Sequence, residues 1–187
     1  MSRKKEYVEE EVIEKAMNLF WIKGYENTSM QMLEKEMGIN KFSIYSSFGN
    51  KKGLFIESLK LYRRKVSKII DQLEKSPDGV LAIEQYFYNF LKLSAGKGFS
   101  KGCLITNTLN DIDKETDIKI VRQVESFRDD IRQVFLNKLM LENGENLKIA
   151  EEKADYLIIS MIGLSSASKM YIDNQLENYI ENIFKRL

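Results

Sequence analysis

The segment spanning residues 28–54, TSMQMLEKEMGINKFSIYSSFGNKKGL, constrains the fold more than any other stretch of this chain. Met30, Leu33 and Met37 recur three and four residues apart, the spacing of one buried helix face. Gly38 follows directly, and glycine enters positive φ without steric cost, so the first helix is expected to end there. Ile39 then plugs the angle between helices. A second helical pattern starts at the capping residue Asn40 and puts Ile44 and Phe48 on an inward face. Thr28 or Ser29 caps the first helix in the same way. Helices this short are unstable alone, so Val12, Ala16, Leu19 and Phe20 of a preceding helix are expected to supply a third wall. Lys41, Phe42, Ser43, Tyr45 and Ser46 are left facing outward or at the edge. This is the layout of a helix-turn-helix, whose second helix enters the DNA major groove. An ordinary helical hairpin in an all-α core satisfies the 30–44 spacing as well.

Charge favours the first reading. The net charge is only +1, but residues 1–70 hold 14 Lys/Arg against 9 Asp/Glu, and the remainder holds 15 against 19. Between 40 and 68, Lys41, Lys51, Lys52, Lys60, Arg63, Arg64, Lys65 and Lys68 face only Glu57. A basic patch beside a helix-turn-helix is the electrostatic footprint of a DNA binder. Lys60 to Lys68 lie two turns or more beyond the motif and fit a solvated helix face equally well.

The rest reads as helix, giving an all-α chain of about nine helices. The lone proline, Pro77, leaves long stretches free to be helical. A long helix is expected over about 51–74, another over 80–94 and a short one over 103–109. Asp113 is expected to cap a long helix carrying Ile120, Val124, Phe127, Ile131 and Val134, ended by Asn143-Gly144. Two more follow over 147–171 and 175–186. The glycine-rich stretch 95–102 lacks the order of a nucleotide P-loop and follows no strand. With no histidine the usual general base is absent, and the carboxylates form no paired metal or glycosidase pattern, so no catalytic residue, metal or cofactor is expected. Residues 1–11 lack the apolar core of a signal peptide, no apolar run reaches the length of a membrane span, and a single cysteine, Cys103, fits a reducing cytosol, so the expected location is cytoplasmic.

The chain resembles the TetR (tetracycline repressor) family of bacterial transcription regulators over roughly residues 8–62. The resemblance is carried by Phe20-Trp21-Ile22-Lys23-Gly24-Tyr25, by Thr28-Ser29, by Gly38-Ile39, by Tyr45 to Phe48 and by Lys51 to Leu54, in order and at family spacing. Glu34 departs from the pattern, which usually has a small residue there. The resemblance implies a helix-turn-helix DNA-binding domain over 1–50 and a helical ligand-binding and dimerisation domain over 51–187. It implies base-edge contacts from Asn40, Lys41, Phe42 and Ser43, and phosphate contacts from Thr28, Ser29, Tyr45, Ser46, Lys51 and Lys52.

Lys101, Gly102, Cys103, Leu104, Ile105 and Asn107 resemble a Gly-Cys-Leu-x-x-Asn segment of a family subgroup, near its ligand pocket. Expected pocket residues are Tyr62, Tyr86, Phe87, Phe90, Cys103, Leu104, Asn107, Phe127 and Met161, with Tyr86 and Asn107 as polar anchors for an apolar small molecule. The last two helices resemble the family's dimer-forming pair, through Leu157, Met161, Leu164, Ser165, Ser168, Leu176, Tyr179, Ile180, Ile183 and Phe184. The function implied is a homodimeric, ligand-responsive repressor on a palindromic DNA operator. Thiol or electrophile sensing through Cys103, and a helical scaffold that binds protein and not DNA, stay open at this point.

Overall fold

The computed structural model describes residues 7–96, 100–111, 116–142 and 146–187. Among them the chain forms nine α-helices and no strand: α1 (Glu9–Lys23), α2 (Met30–Met37), α3 (Lys41–Phe48), α4 (Lys51–Lys75), α5 (Val80–Ser94), α6 (Leu104–Asp111), α7 (Ile118–Leu139), α8 (Leu147–Ala167) and α9 (Asp173–Phe184). The all-α expectation holds. None of these helices is long and apolar enough to cross a membrane.

The first three helices follow from their caps and stripes. Val12, Ala16 and Phe20 of α1 are buried one turn apart and form the expected third wall. Ser29, not Thr28, caps α2, its Oγ accepting from the Met32 N–H at 3.2 Å. Gly38 ends α2 at φ 72°, ψ 21°, the left-handed region. Asn40 caps α3 by accepting from Ser43 N–H at 2.8 Å, and Asn50 caps α4 by accepting from Gly53 N–H at 2.8 Å. Glu34 also has a structural role. Its carboxylate accepts from the Lys41 backbone N–H, so a negative charge sits at the N-terminus of α3, where the helix dipole favours it.

α4 is the spine of the molecule. Its first half packs on α1, with Phe55 edge-on to Phe20 at 4.9 Å and Tyr62 edge-on to Trp21 at 4.9 Å. Its second half packs on α5 and α7. One continuous hydrophobic core therefore crosses residue 50. α8 lies along α7, and α9 closes over α5 and α8.

Helix ends differ from the sequence reading in three places. Asp113, the expected cap of α7, lies outside the described residues, and Asp117 caps that helix by accepting from Lys119 N–H at 2.8 Å. Asn143 and Gly144 also lie outside them, and α7 already ends at Leu139. α8 stops at Ala167 because the N–H groups of Met170 and Tyr171 both turn back to the Ala167 carbonyl. Of the glycine-rich stretch, residues 97–99 lie outside the described set.

The 101–107 segment is a fastener between α1 and α8. Gly102 adopts φ 66°, and an added Cβ would lie 2.9 Å from the Ser165 carbonyl oxygen and 2.8 Å from Lys169 Cε. Cys103 N–H donates to Ser165 Oγ at 2.9 Å. Asn107 Nδ2 donates to the Lys101 carbonyl at 3.1 Å and the Trp21 carbonyl at 3.4 Å. Gly102→Ala combines a left-handed strain with a backbone clash, so it should cost about 2–4 kcal/mol. Gly38→Ala meets no atom within 4 Å and should cost only the strain, about 1–2 kcal/mol. Chemical denaturation of the two variants checks the order.

Candidate nucleic-acid interface

α3 is held by Ile44, which is fully buried, and by a 2.6 Å hydrogen bond between Tyr7 Oη and Ser47 Oγ. The opposite side is open. Asn40, Lys41, Phe42, Tyr45 and Ser46 are exposed and Ser43 is half-buried. Lys41 Nζ lies 5.6 Å from the Tyr45 ring centroid, a cation over an aromatic face. Thr28 departs from the expectation of a phosphate contact. It is fully buried, and its hydroxyl donates to the Gly24 carbonyl at 2.7 Å. Ser29 stays exposed, with its hydroxyl oxygen already accepting the α2 cap bond.

The lysine pair at the start of α4 is split. Lys51 Nζ stands 4.4 Å from the Tyr25 ring centroid and reaches the Glu26 carbonyl at 3.5 Å. Partial burial lowers the pKa of this ammonium, and the charge of Glu26 acts against that. Lys52 turns to Asp117, the cap of α7, at 2.7 Å. That bond raises the Lys52 pKa and holds the Asp117 carboxyl below its ordinary range. Further along α4, Lys60 pairs with Glu57, Arg63 with Asp130 and Lys65 with Glu14. Much of the basic run beyond the motif is thus matched within the protein.

Ten residues above Lys52, α4 forms one wall of an interior cavity of about 60 Å³. Of the residues expected at a pocket, Tyr62, Tyr86, Phe90, Cys103, Phe127 and Met161 line it. Three expected residues do not. Phe87 is buried against Phe135 and Phe184, Leu104 packs in the core, and Asn107 is tied to Trp21 and Lys101. The sequence reading misses Val66, Ile105, Thr106, Leu109, Val124, Arg128, Ile131, Ile158, Ile162 and Ser165. The α7 members extend a stripe already visible around Phe127. Tyr62 Oη donates to Cys103 Sγ at 3.2 Å. Burial, reinforced by the nearby thiol, pushes the Tyr62 and Tyr86 phenols far up, so both remain protonated donors. An open groove of about 410 Å³ between α4 and α7 shares Phe127 and Ile131 with this cavity, and Arg63 sits 5.6 Å from the Phe127 ring centroid at their boundary.

The expected dimer face needs correction. Leu157, Leu164, Ser165, Ser168, Leu176, Ile180 and Ile183 are all buried inside the protomer, Phe184 packs on Phe87, and Met161 lines the cavity. These residues face inward because α8 and α9 close the protomer's own core. Of the expected set, Tyr179 is exposed. The outward face of α8 and α9 carries Tyr156, Ile159, Gly163, Ser166 and Tyr179, and Met170 and Ile172 are exposed on the turn between the two helices.

Residues 12–57 match the family described as bacterial regulatory proteins, tetR family. The chain is 27% identical over 189 residues to the HTH-type transcriptional regulator YezE of Bacillus subtilis strain 168, covering 97% of this chain and 96% of that one. It is 31% identical over 156 residues to the HTH-type transcriptional regulator YxaF of the same strain, covering 79% and 75%. Its fold matches that of a cysteine mutant of the TetR family transcriptional regulator CifR, complexed with 26 bp double-strand operator DNA, with TM-score 0.86 and 22% identity over 98% of each chain. An exposed α3 face over a matched helix-turn-helix, within a chain alike along most of its length to such regulators, places the protein in the tetR family of DNA-binding transcriptional regulators.

Proposed function

We propose that the protein is a homodimeric, ligand-responsive repressor acting in the cytoplasm on a palindromic operator. Residues 1–50, joined by the lysines that open α4, hold the DNA, and the domain over 51–187 holds the effector and the partner protomer. Asn40, Lys41, Phe42 and Ser43 face base edges. Ser29, Tyr45, Ser46 and Lys51 face phosphates, with Lys52 available once it leaves Asp117. Two recognition helices about 34–36 Å apart, or somewhat more, then read successive major grooves.

The observation that carries the ligand-responsive part is the span of α4. Lys51 stands at its first residue, and Tyr62 and Val66 line the cavity from the same helix. A cavity of about 60 Å³ is far smaller than the roughly 300–1,000 Å³ of ordinary ligand pockets. An apolar effector must therefore open it, and the route is through Phe127, between α4 and α7. Moving α4 shifts the recognition helix, so the effector favours one DNA-binding state by differential affinity. Release of repression is the outcome proposed.

Selection of bound sequences from random double-stranded DNA, read at two salt concentrations, tests the operator. An enriched palindrome lost at high salt supports the proposal. Absence of enrichment with reduced apo protein counts against it. A second reading, sensing of an electrophile at Cys103, is supported by the position of Sγ in the cavity wall, accepting from Tyr62 Oη. An adduct at Cys103, seen by intact mass, that lowers operator affinity and fails to form in Cys103→Ser favours that reading.

A further inference from the structure

The position and chemistry of Phe42 narrow what the recognition helix reads. A helix turns about 100° per residue, so Phe42 and Ser46 stand on the side of α3 opposite Ile44, its anchor in the core. Phe42 is 79% exposed and lies outside the hydrophobic core. Its exposed neighbours, Asn40, Lys41, Tyr45 and Ser46, are polar or charged. The ring is also presented from a fixed backbone: Asn40 Oδ1 is held by the Ser43 N–H, and the Lys41 N–H by Glu34. Residues in the first turn of a recognition helix are those that reach base edges.

A phenyl ring brings no donor or acceptor in its plane, so it cannot satisfy the hydrogen-bonding groups of guanine, adenine or cytosine. The apolar group on the major-groove edge of the four standard bases is the C5 methyl of thymine. We propose that Phe42 is a specificity-determining residue that reads a thymine methyl in each operator half-site. The proposal rests on the operator-binding reading above. A lysine or asparagine at the pole of this face would favour guanine or adenine there.

The test replaces each dT of the selected operator by dU, symmetrically in the two half-sites, and measures affinity for the parent and for Phe42→Ala. Uracil keeps every hydrogen-bonding group of thymine and removes only the methyl. In the parent, one position should weaken binding about fourfold per half-site, the worth of one buried methyl, and about 15-fold for both. The same replacement should leave Phe42→Ala unaffected, and Phe42→Ala should keep the parent's salt slope because a phenyl ring neutralises no phosphate. An operator bound by the parent with no uracil-sensitive position overturns the assignment, as does a sensitivity that persists in Phe42→Ala. Both results leave operator binding intact. If the parent enriches no sequence at all, the operator reading and the thymine assignment fall together.

Discussion

An Ile159→Asp exchange is expected to leave the protein folded but monomeric, and to weaken binding to a two-half-site operator by about 100-fold or more. Ile159 is 68% exposed, although Ile158 and Ser160 on either side of it are buried. It lies on the outward stripe of α8, between Tyr156 and Gly163. Gly163 on the same stripe makes room for α9 of its own protomer, its Cβ position lying 3.1 Å from Tyr179 Oη. In a two-fold interface each change occurs twice, so two carboxylates would be buried without partners close to one another. A monomer holds one half-site and loses the effective concentration that joins the second. Sedimentation equilibrium reads the mass, and circular dichroism reads the fold. Ile158→Asp is the contrasting variant, because it puts the charge into the protomer's own core and should unfold it. A folded dimer from Ile159→Asp would move the interface away from this face.

The same helix shows where sequence reasoning reaches its limit. α8 is apolar on two sides, with Leu157, Ile158 and Leu164 inward and Ile159 outward. A periodic pattern tells which residues share a face, but it does not tell which face meets the protomer and which the partner. The stripe 157–161–164–168 is therefore legible as a stripe, while its side is not. The helix-turn-helix is legible almost to the residue because its signals are local: a capping Ser29 and Asn40, a left-handed Gly38, and one buried anchor, Ile44. The cavity is half legible. Phe127 and Met161 line it as expected, but Phe87, an aromatic at the same helical spacing, points to Phe135 and Phe184. Asn107 has the chemistry of a ligand anchor, whereas it binds two backbone carbonyls from segments distant in sequence or across a turn. Pairings of that kind depend on tertiary placement, which no spacing rule contains.

Lysine removal is expected to separate the phosphate-binding cations from those held in internal ion pairs. Every duplex phosphate that a protein no longer neutralises takes about 0.9 off the slope of log affinity against log salt. Lys51→Ala removes one phosphate-facing lysine from each of two half-sites, so the slope should fall by about 1.8, with the greatest weakening at low salt. Lys52→Ala should change the slope less, because Asp117 already neutralises that ammonium at 2.7 Å. Asp117→Asn is then the informative change. The amide oxygen still accepts the Lys119 N–H that caps α7, but the charge holding Lys52 is gone. Freed in both protomers, Lys52 should steepen the salt slope by up to about 1.8 and tighten binding at low salt. Adding Lys52→Ala to Asp117→Asn should cancel that gain. Because Asp117 is held below the usual carboxylate range, the pair stays charged at neutral pH and weakens only as pH falls through that depressed range. An unchanged slope in Asp117→Asn would mean that Lys52 does not reach the DNA backbone. A steeper one would mean that the N-terminus of α7, on the effector side of the molecule, holds back a cation at the DNA-proximal end of α4.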